Sequence, residues 1–247
     1  VNGNPKIDDY YILPRTVDVP RTIDAPNWWL NSRCGDKKDL TAPKIYPPID
    51  FPVFPEVTEE TSRPVINEGE LVLTSAVSYV PEIRLDNEAV TIKYNDGQLL
   101  IVDEIHIPGS DYDAIKLEGT GLLKIFVRND FTIGGSGRFN VPATAGERWS
   151  LTEEECIEAA NKLAFYYDGS RTFKMTGNNI FNGSIFINSA DIHLSGSGSG
   201  RDFTGNIVSN GGEVSLLGGV GVVVGGYVVY APISHVTISQ SGDSVAA

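Results

Sequence analysis

The last third of the chain repeats itself every 22 residues, and this register limits the folds that the chain can adopt. Three independent columns of apolar residues share the period: Ile192, Val214 and Val236; Leu194, Leu216 and Ile238; and Ile185, Ile207 and Val229. The segments that carry them are short, rich in β-branched residues and separated by Gly and Ser. A fixed period of about 20 to 25 residues is typical of a solenoid, in which each coil stacks its apolar residues on the coil below. The repeat therefore predicts an all-β chain coiled as a β-solenoid.

The residues before the regular coils predict less regular coils of the same solenoid. Ile105-His106-Ile107 and Phe131-Thr132-Ile133 share the pattern apolar, any, apolar at a spacing of 26 residues. Period-two alternation predicts strands at five places, residues 71–80, 89–94, 99–107, 122–127 and 131–133. We expect one solenoid domain over residues 67–247.

One helix is predicted to interrupt the solenoid at about residues 152–167. Thr152-Glu153-Glu154-Glu155 has the sequence of a capping box. Apolar residues follow at helical spacing, and Asp168-Gly169 then stops the pattern: Cys156, Ile157, Ala160, Leu163, Ala164 and Tyr167. We expect this helix to cap an open end or flank of the coil stack, because unpaired strand edges favour aggregation.

Residues 1–66 are predicted to form a proline-rich, extended arm. They contain ten of the fourteen prolines, and proline fixes φ and removes a backbone donor. The arm also contains five large aromatic residues, Trp28, Trp29, Tyr46, Phe51 and Phe54. This is too many for a free linker, so we expect the arm to pack along the solenoid or against a neighbouring molecule.

The composition excludes several classes of partner. The net charge of -13 and the isoelectric point near 4.6 disfavour nucleic acid and anionic membranes, because the surface repels phosphate groups. No apolar run of about 18 residues is present, so these residues predict no membrane-spanning segment. Cys34 and Cys156 have neither CxxC nor metal-site spacing. They are either a disulfide that joins the arm to the solenoid or two buried thiols.

The 22-residue register also aligns polar residues on the outside of the coils. If Ile192 and Leu194 point inward, their neighbours point outward, because a strand alternates faces. Two outward columns then result, at a spacing of about 4.8 Å per coil: Asp191, Glu213 and His235, and beside them His193, Ser215 and Thr237. Such a set could bind a metal through mixed ligands or supply an acid/base pair for glycan cleavage. A solvated polar ladder is the alternative that we expect, with no catalytic residue, metal or cofactor.

Four glycine-containing segments carry a resemblance to a known family: residues 117–127, 131–137, 180–187 and 230–239. They resemble the solenoid domain of exported bacterial proteins related to PilX-type pilus assembly proteins, over roughly residues 65–242. The resemblance implies a right-handed parallel β-helix on the cell surface. It also implies a pilin-like hydrophobic helix as an upstream membrane anchor, and an association with type IV pilus-like machinery. It implies no catalytic residue in this sequence.

These observations predict a non-enzymatic, extracellular structural or adhesive surface protein that is associated with pili. Its expected partners are other surface or pilus proteins, polysaccharide, or further copies of itself. The alternative is a carbohydrate-active β-helix enzyme, a polysaccharide lyase or hydrolase, or a carbohydrate-binding module. Such enzymes use a groove walled by long loops, whereas this chain has short corners. A third hypothesis, a self-polymerising cytoskeletal solenoid, would predict neither a disulfide nor a proline-rich arm.

Overall fold

The computed structural model describes residues 10–12, 37–39, 51–57, 65–108, 114–141, 152–197, 202–209, 214–219, 222–223 and 236–237. In chain order, the strands before the helix are β1 (Tyr10–Ile12), β2 (Lys37–Asp39), β3 (Gly69–Val72), β4 (Val77–Arg84), β5 (Ala89–Tyr94), β6 (Leu99–Ile107), β7 (Ala114–Gly119), β8 (Leu123–Ile133) and β9 (Arg138–Phe139). The helix α1 (Glu153–Ala160) follows. The strands after it are β10 (Leu163–Tyr167), β11 (Phe173–Met175), β12 (Ile180–Asn182), β13 (Ser184–Ile187), β14 (Ile192–Ser197), β15 (Phe203–Thr204), β16 (Ile207–Ser209), β17 (Val214–Gly219), β18 (Val222–Val223) and β19 (Val236–Thr237).

The strands from β3 onward wind into a parallel β-solenoid, as the repeat predicted. Two sheets form its walls. The long sheet contains β4, β6, β8, β10, β11, β13, β14, β16, β17 and β19, and the short sheet contains β3, β5, β7, β9, β12, β15 and β18. Neighbouring strands within each sheet come from successive coils and pair in parallel. In the early coils one strand of the long sheet covers a whole side, whereas β10 and β11 pair with the two halves of β8.

The 22-residue register is confirmed, and it also occurs at the other end of the solenoid. Ile192 pairs in register with Val214 and Val214 with Val236, while Val77 pairs with Leu99 at the same offset. Between these ends the offset is longer, because a register shift between Val102 and Glu104 adds a residue to β8. Val229 and Ile238 lie outside the described residues. The coils are therefore regular at both ends and wider in the middle.

Aromatic rings fill the solenoid where it is wide. Phe131 stacks on Phe173 with ring centroids 4.3 Å apart and meets Phe165 edge-on at 4.9 Å. Phe181 stacks on Phe203 at 5.6 Å, and all five rings are fully buried. Each buried phenyl group removes a large apolar area from water, which makes this cluster the main source of hydrophobic stabilisation in the middle coils. The described interior is a packed core.

The helix begins as predicted and ends earlier. The backbone N–H of Glu155 donates to Thr152 Oγ1 and the Thr152 N–H donates to Glu155 Oε2, so the capping box is present. The predicted helix over residues 152–167 is nevertheless too long, because it ends at Ala160 and Leu163–Tyr167 form β10. This segment is rich in aromatic residues and pairs with β8 on one side and β13 on the other. Two ladders and a buried face outweigh helical spacing.

The helix covers a flank of the short sheet. Cys156 is fully buried and packs with Val141 and Ile180. The Asn140 side-chain amide donates to the carbonyl oxygens of Ala159 and Asn182, both at 2.7 Å, and so ties the helix to the corners of two coils. Cys34 lies outside the described residues, so the predicted disulfide stays a prediction.

Two predicted strand boundaries differ from the structure. Residues 71–80 do not form one strand: β3 ends at Val72 and β4 begins at Val77, because the chain crosses there from the short sheet to the long sheet. Residues 122–127 and 131–133 are instead parts of one strand, β8, and β7 was not predicted. The predicted strands at 89–94 and 99–107 match β5 and β6.

One part of the arm packs on the solenoid. On the outside of the long sheet, Tyr166 stacks on Phe126 at 4.7 Å and on Phe186 at 4.8 Å. Phe54 contacts Phe126 edge-on at 4.9 Å, and Phe51 contacts Tyr166 at 6.2 Å. The prediction of an arm along the solenoid is confirmed for residues 51–57. Trp28, Trp29 and Tyr46 lie outside the described residues, and β1 pairs in parallel with β2.

Within the described part of the chain, no helix has the length and apolar character needed to cross a membrane.

Candidate functional site

Two outward columns of polar side chains run along the second half of the long sheet. We name them by their described members: the acidic column contains Glu82, Glu104, Asp130 and Asp191, and the histidine column contains Arg84, His106, Thr132, Lys174, His193 and Ser215. The residues between the two columns point inward and are fully buried: Ile83, Ile105, Phe131, Phe173 and Ile192. This alternation fixes the outward direction of both columns, because a strand alternates faces.

The predicted residues lie in these columns. His193 is half-buried and lies in register between Lys174 and Ser215, which in turn pairs with Thr237. Asp191 is exposed, and its backbone oxygen accepts a hydrogen bond from Phe173 N–H at 2.8 Å. The predicted neighbours Glu213 and His235 lie outside the described residues. The register behind the prediction is confirmed, while the proposed meeting of Asp191, Glu213 and His235 stays a prediction.

A closer set of metal-ligand side chains lies in the same columns near the first coils. Glu82, Glu104 and His106 each place one ligand atom so that all of these atoms lie within 4.8 Å of one another. His106 Nε2 is 3.2 Å from Glu104 Oε2, and Glu82 lies directly below Glu104 in register. It is the one such group of three found among the described residues.

The sequence contains a signal for this group that our prediction missed. Glu104-Ile105-His106-Ile107 and Asp191-Ile192-His193-Leu194 share the order acidic, Ile, His, aliphatic. Glu82 precedes Glu104 by 22 residues, the period of the last coils. Comparison of the two motifs would have directed attention to the first coils.

Several cations lie beside the acidic column. Arg171 Nη1 donates to Asp130 Oδ2 at 2.7 Å, and the Asp130 side chain is almost buried. Arg84 Nη1 lies 3.6 Å from Glu82 Oε1, and Arg84 Nε lies 3.6 Å from Asp86 Oδ2. The Asp130 charge is therefore compensated at short range, whereas Glu82 shares a half-exposed guanidinium group with Asp86.

A second polar cluster lies at the bend between the two halves of the long sheet. Tyr79 OH donates to Asp103 Oδ2 at 2.8 Å, and Arg128 Nε donates to Asp103 Oδ1 at 2.5 Å. The Arg128 guanidinium group lies 5.2 Å from the centre of the Tyr79 ring. Burial, together with the hydrogen bond to Asp103, raises the pKa of Tyr79. These contacts join three successive coils, which is a structural role for Asp103.

Chemically, the columns offer carboxylates, imidazoles and ammonium groups at fixed spacings on a sheet. Carboxylate oxygen and imidazole nitrogen are ligands for divalent transition metals. Stacked carboxylates are also the groups that glycoside hydrolases use, although there the pair must flank the bond that is cleaved.

No protein-family model matches this chain, and no curated protein or solved structure matches it either. The resemblance to PilX-type proteins therefore stays a prediction.

Proposed function

We propose that this chain is a non-enzymatic structural or adhesive module of an extracellular surface, associated with pili, that acts as a stiff spacer. The observation that supports this proposal most directly is the state of its outward carboxylates. Lys93 Nζ lies 2.6 Å from Glu70 Oε1, Arg128 lies 2.5 Å from Asp103, and Arg171 lies 2.7 Å from Asp130. Each pair joins different coils, so these charges brace the stack.

A stiff spacer also agrees with how the coils are joined. Each coil contacts its neighbours through continuous backbone ladders and a filled core, so bending the stack would break both. The interior rings Phe131, Phe165 and Phe173 span several coils. A repeat of this kind presents flat, extended faces at fixed distances, which suits adhesion through many weak contacts.

A carbohydrate-binding module is the second candidate, and the outer aromatic column favours it. Phe126, Tyr166 and Phe186 present stacked rings at a spacing of 4.7 to 4.8 Å. Aromatic faces are common supports for sugar rings because they combine apolar area with little conformational entropy. However, Phe54 and Phe51 already contact two of these rings. The arm therefore competes with a glycan for this surface, and the structural proposal is the better supported of the two.

Incubation of the purified chain with a panel of acidic and neutral polysaccharides separates these functions. We expect no new reducing end and no unsaturated sugar, while beads coated with the folded chain adhere to intact bacterial cells or to a polysaccharide film. The heat-unfolded chain is the control for adhesion. Products that appear with the native chain and disappear with Glu104→Gln would make the protein an enzyme. Sugar binding without products that increases in Phe54→Ala would favour the carbohydrate-binding module.

The predicted location can be tested separately. Antibodies against the folded chain should label intact cells of the source organism, and external protease should remove the label. Labelling that appears only after the cells are made permeable would contradict an extracellular role.

A further inference from the structure

We propose that Glu82, Glu104 and His106 bind a divalent transition-metal ion, such as Zn²⁺, across two adjacent coils of the long sheet. Their ligand atoms lie within 4.8 Å of one another. A tetrahedral ion with ligand bonds of about 2.0 to 2.2 Å holds its ligand atoms about 3.5 Å apart, so small side-chain rotations complete the site. The proposal adds a ligand to the structural function and does not depend on it.

The positions of the three side chains are set by rigid elements. Glu82 lies on β4, and Glu104 and His106 lie two residues apart on β6. The two strands pair through Glu82 with Glu104 and through Arg84 with His106. Ile83 and Ile105, which separate the outward residues, are fully buried and anchor both strands in the core. Sites built on strands hold their geometry better than sites on loops.

The donor set is suited to a transition metal. Two carboxylate oxygens and one imidazole nitrogen suit Zn²⁺, Mn²⁺, Co²⁺ or Ni²⁺, whereas Mg²⁺ and Ca²⁺ prefer oxygen alone. His106 Nε2 faces Glu104 Oε2 at 3.2 Å. Since both atoms carry lone pairs, either a proton on Nε2 or a cation must lie between them. With water in the remaining positions, the three side chains would form an open site.

The charges around the group favour a cation. Glu82 and Glu104 stack directly in register, which places like charges about 4.8 Å apart. Asp130, the next member of the column, is compensated by Arg171. Arg84 is the nearest cation to Glu82, and it is half-exposed and also 3.6 Å from Asp86. It can therefore turn toward Asp86 and leave two carboxylates facing the bound ion.

The distribution of histidine is an independent observation in favour of a ligand. The chain has three histidines in 247 residues. His106 and His193 both lie in the histidine column, each two residues after an acidic residue. The third, His235, directly precedes Val236, which continues the same ladder. An outward ladder with no ligand has no need to concentrate imidazoles on one face.

The two described motifs differ in their neighbours, and the difference provides a matched control. His106 has Glu104 at 3.2 Å and Glu82 in the coil below. His193 has Lys174 in register in the coil below, and this cation disfavours a metal ion. His193→Ala therefore removes a similar side chain from the same column without touching the proposed site.

Isothermal titration of the metal-stripped full chain with Zn²⁺ tests the proposal, with Co²⁺ absorption as a second readout of nitrogen and oxygen ligands. We expect one Zn²⁺ per chain. His106→Ala and Glu104→Gln should each weaken binding at least about tenfold, since each removes one of three ligands. His193→Ala should leave the affinity unchanged. Circular dichroism checks that each variant is folded.

Two results would overturn the proposal. The first is a dissociation constant weaker than about 1 mM for the folded wild-type chain, a free energy of only about 4 kcal/mol. The second is an equal loss of binding in His106→Ala and His193→Ala, which would place the ion elsewhere on the column. Neither result bears on adhesion or on the absence of polysaccharide products, so the structural function is tested independently.

Discussion

Replacement of Gly205 by Ala is expected to disrupt the stacking of two coils. Gly205 has a φ of +141°, which L side chains rarely adopt, and a Cβ there would overlap the carbonyl oxygen of Gly183 in the neighbouring coil. That oxygen belongs to the backbone, so it cannot turn aside as a flexible side chain would. Gly205→Ala must therefore strain its own backbone and push the coils apart.

The magnitude follows from the two contributions. Forcing an alanine into a disfavoured backbone region costs about 1 to 3 kcal/mol. Separation of the coils weakens the bonds on either side of the glycine, from Gly183 N–H to Thr204 O and from Ile185 N–H to Asn206 O, both at 2.8 Å. Each bond contributes about 0.5 to 1.5 kcal/mol. We expect a loss of roughly 2 to 6 kcal/mol in the free energy of unfolding, a large part of the usual total of about 5 to 15 kcal/mol.

Gly97→Ala is the matched control for this prediction. Gly97 also has a positive φ, +77°, but a Cβ there would meet nothing within 4 Å. Its backbone strain alone should cost about 1 to 2 kcal/mol. Urea unfolding followed by circular dichroism measures both variants against the wild type. If Gly205→Ala is no more destabilising than Gly97→Ala, the close approach of the two coils does not limit the fold and the reasoning is wrong.

Two further predictions concern the arm and the response to pH. Phe54→Ala removes the ring that contacts Phe126 at 4.9 Å; a loss of about 1.4 kcal/mol should speed chymotrypsin cleavage of residues 51–57 about tenfold, whereas Val53→Ala, at a side chain that is 93% exposed, should not, and equal rates would show that the arm is held elsewhere. Burial raises the pKa of Tyr167, whose hydroxyl donates to Arg171 O at 2.8 Å. Because the raised pKa belongs to the folded state, the stability from neutral Tyr167 is fully present below the model value of 10.0 and is lost as pH rises above it. Unfolding titrations should therefore show a shallower decline above pH 10 in Tyr167→Phe, and identical slopes would contradict the assignment.

The coil register could be predicted from the sequence because it depends on a local property. Apolar residues that face the core recur in each coil, and an alternating strand leaves them one inward side. This is why β5 and β6 match the predicted bounds. The end of the helix could not be predicted in the same way. Leu163–Tyr167 also fit helical spacing, and only their pairing with β8 and β13, which are distant in sequence, makes them a strand.

The candidate metal group could not be assembled from the sequence because the coil length varies. The offset is 22 residues from Glu82 to Glu104 and 26 from Glu104 to Asp130. The change arises at the register shift after Val102, which adds a residue to one strand and not to its partner. Extension of the terminal 22-residue period toward the first coils therefore loses the column at the wide middle. Only the paired strands show that Asp191 and Glu82 belong to one face.

The same irregular middle explains why the arm and the proposed metal site occupy different surfaces. Wide coils hold large rings inside, such as Phe131 and Phe173, and they also bring Phe126 and Tyr166 together outside, on the first half of the long sheet. The arm packs on those outer rings. Glu82, Glu104 and His106 lie on the second half of the sheet, beyond the bend. Since the two surfaces share no described side chain, binding of a metal and release of the arm should be additive, and Phe54→Ala should leave Zn²⁺ affinity unchanged.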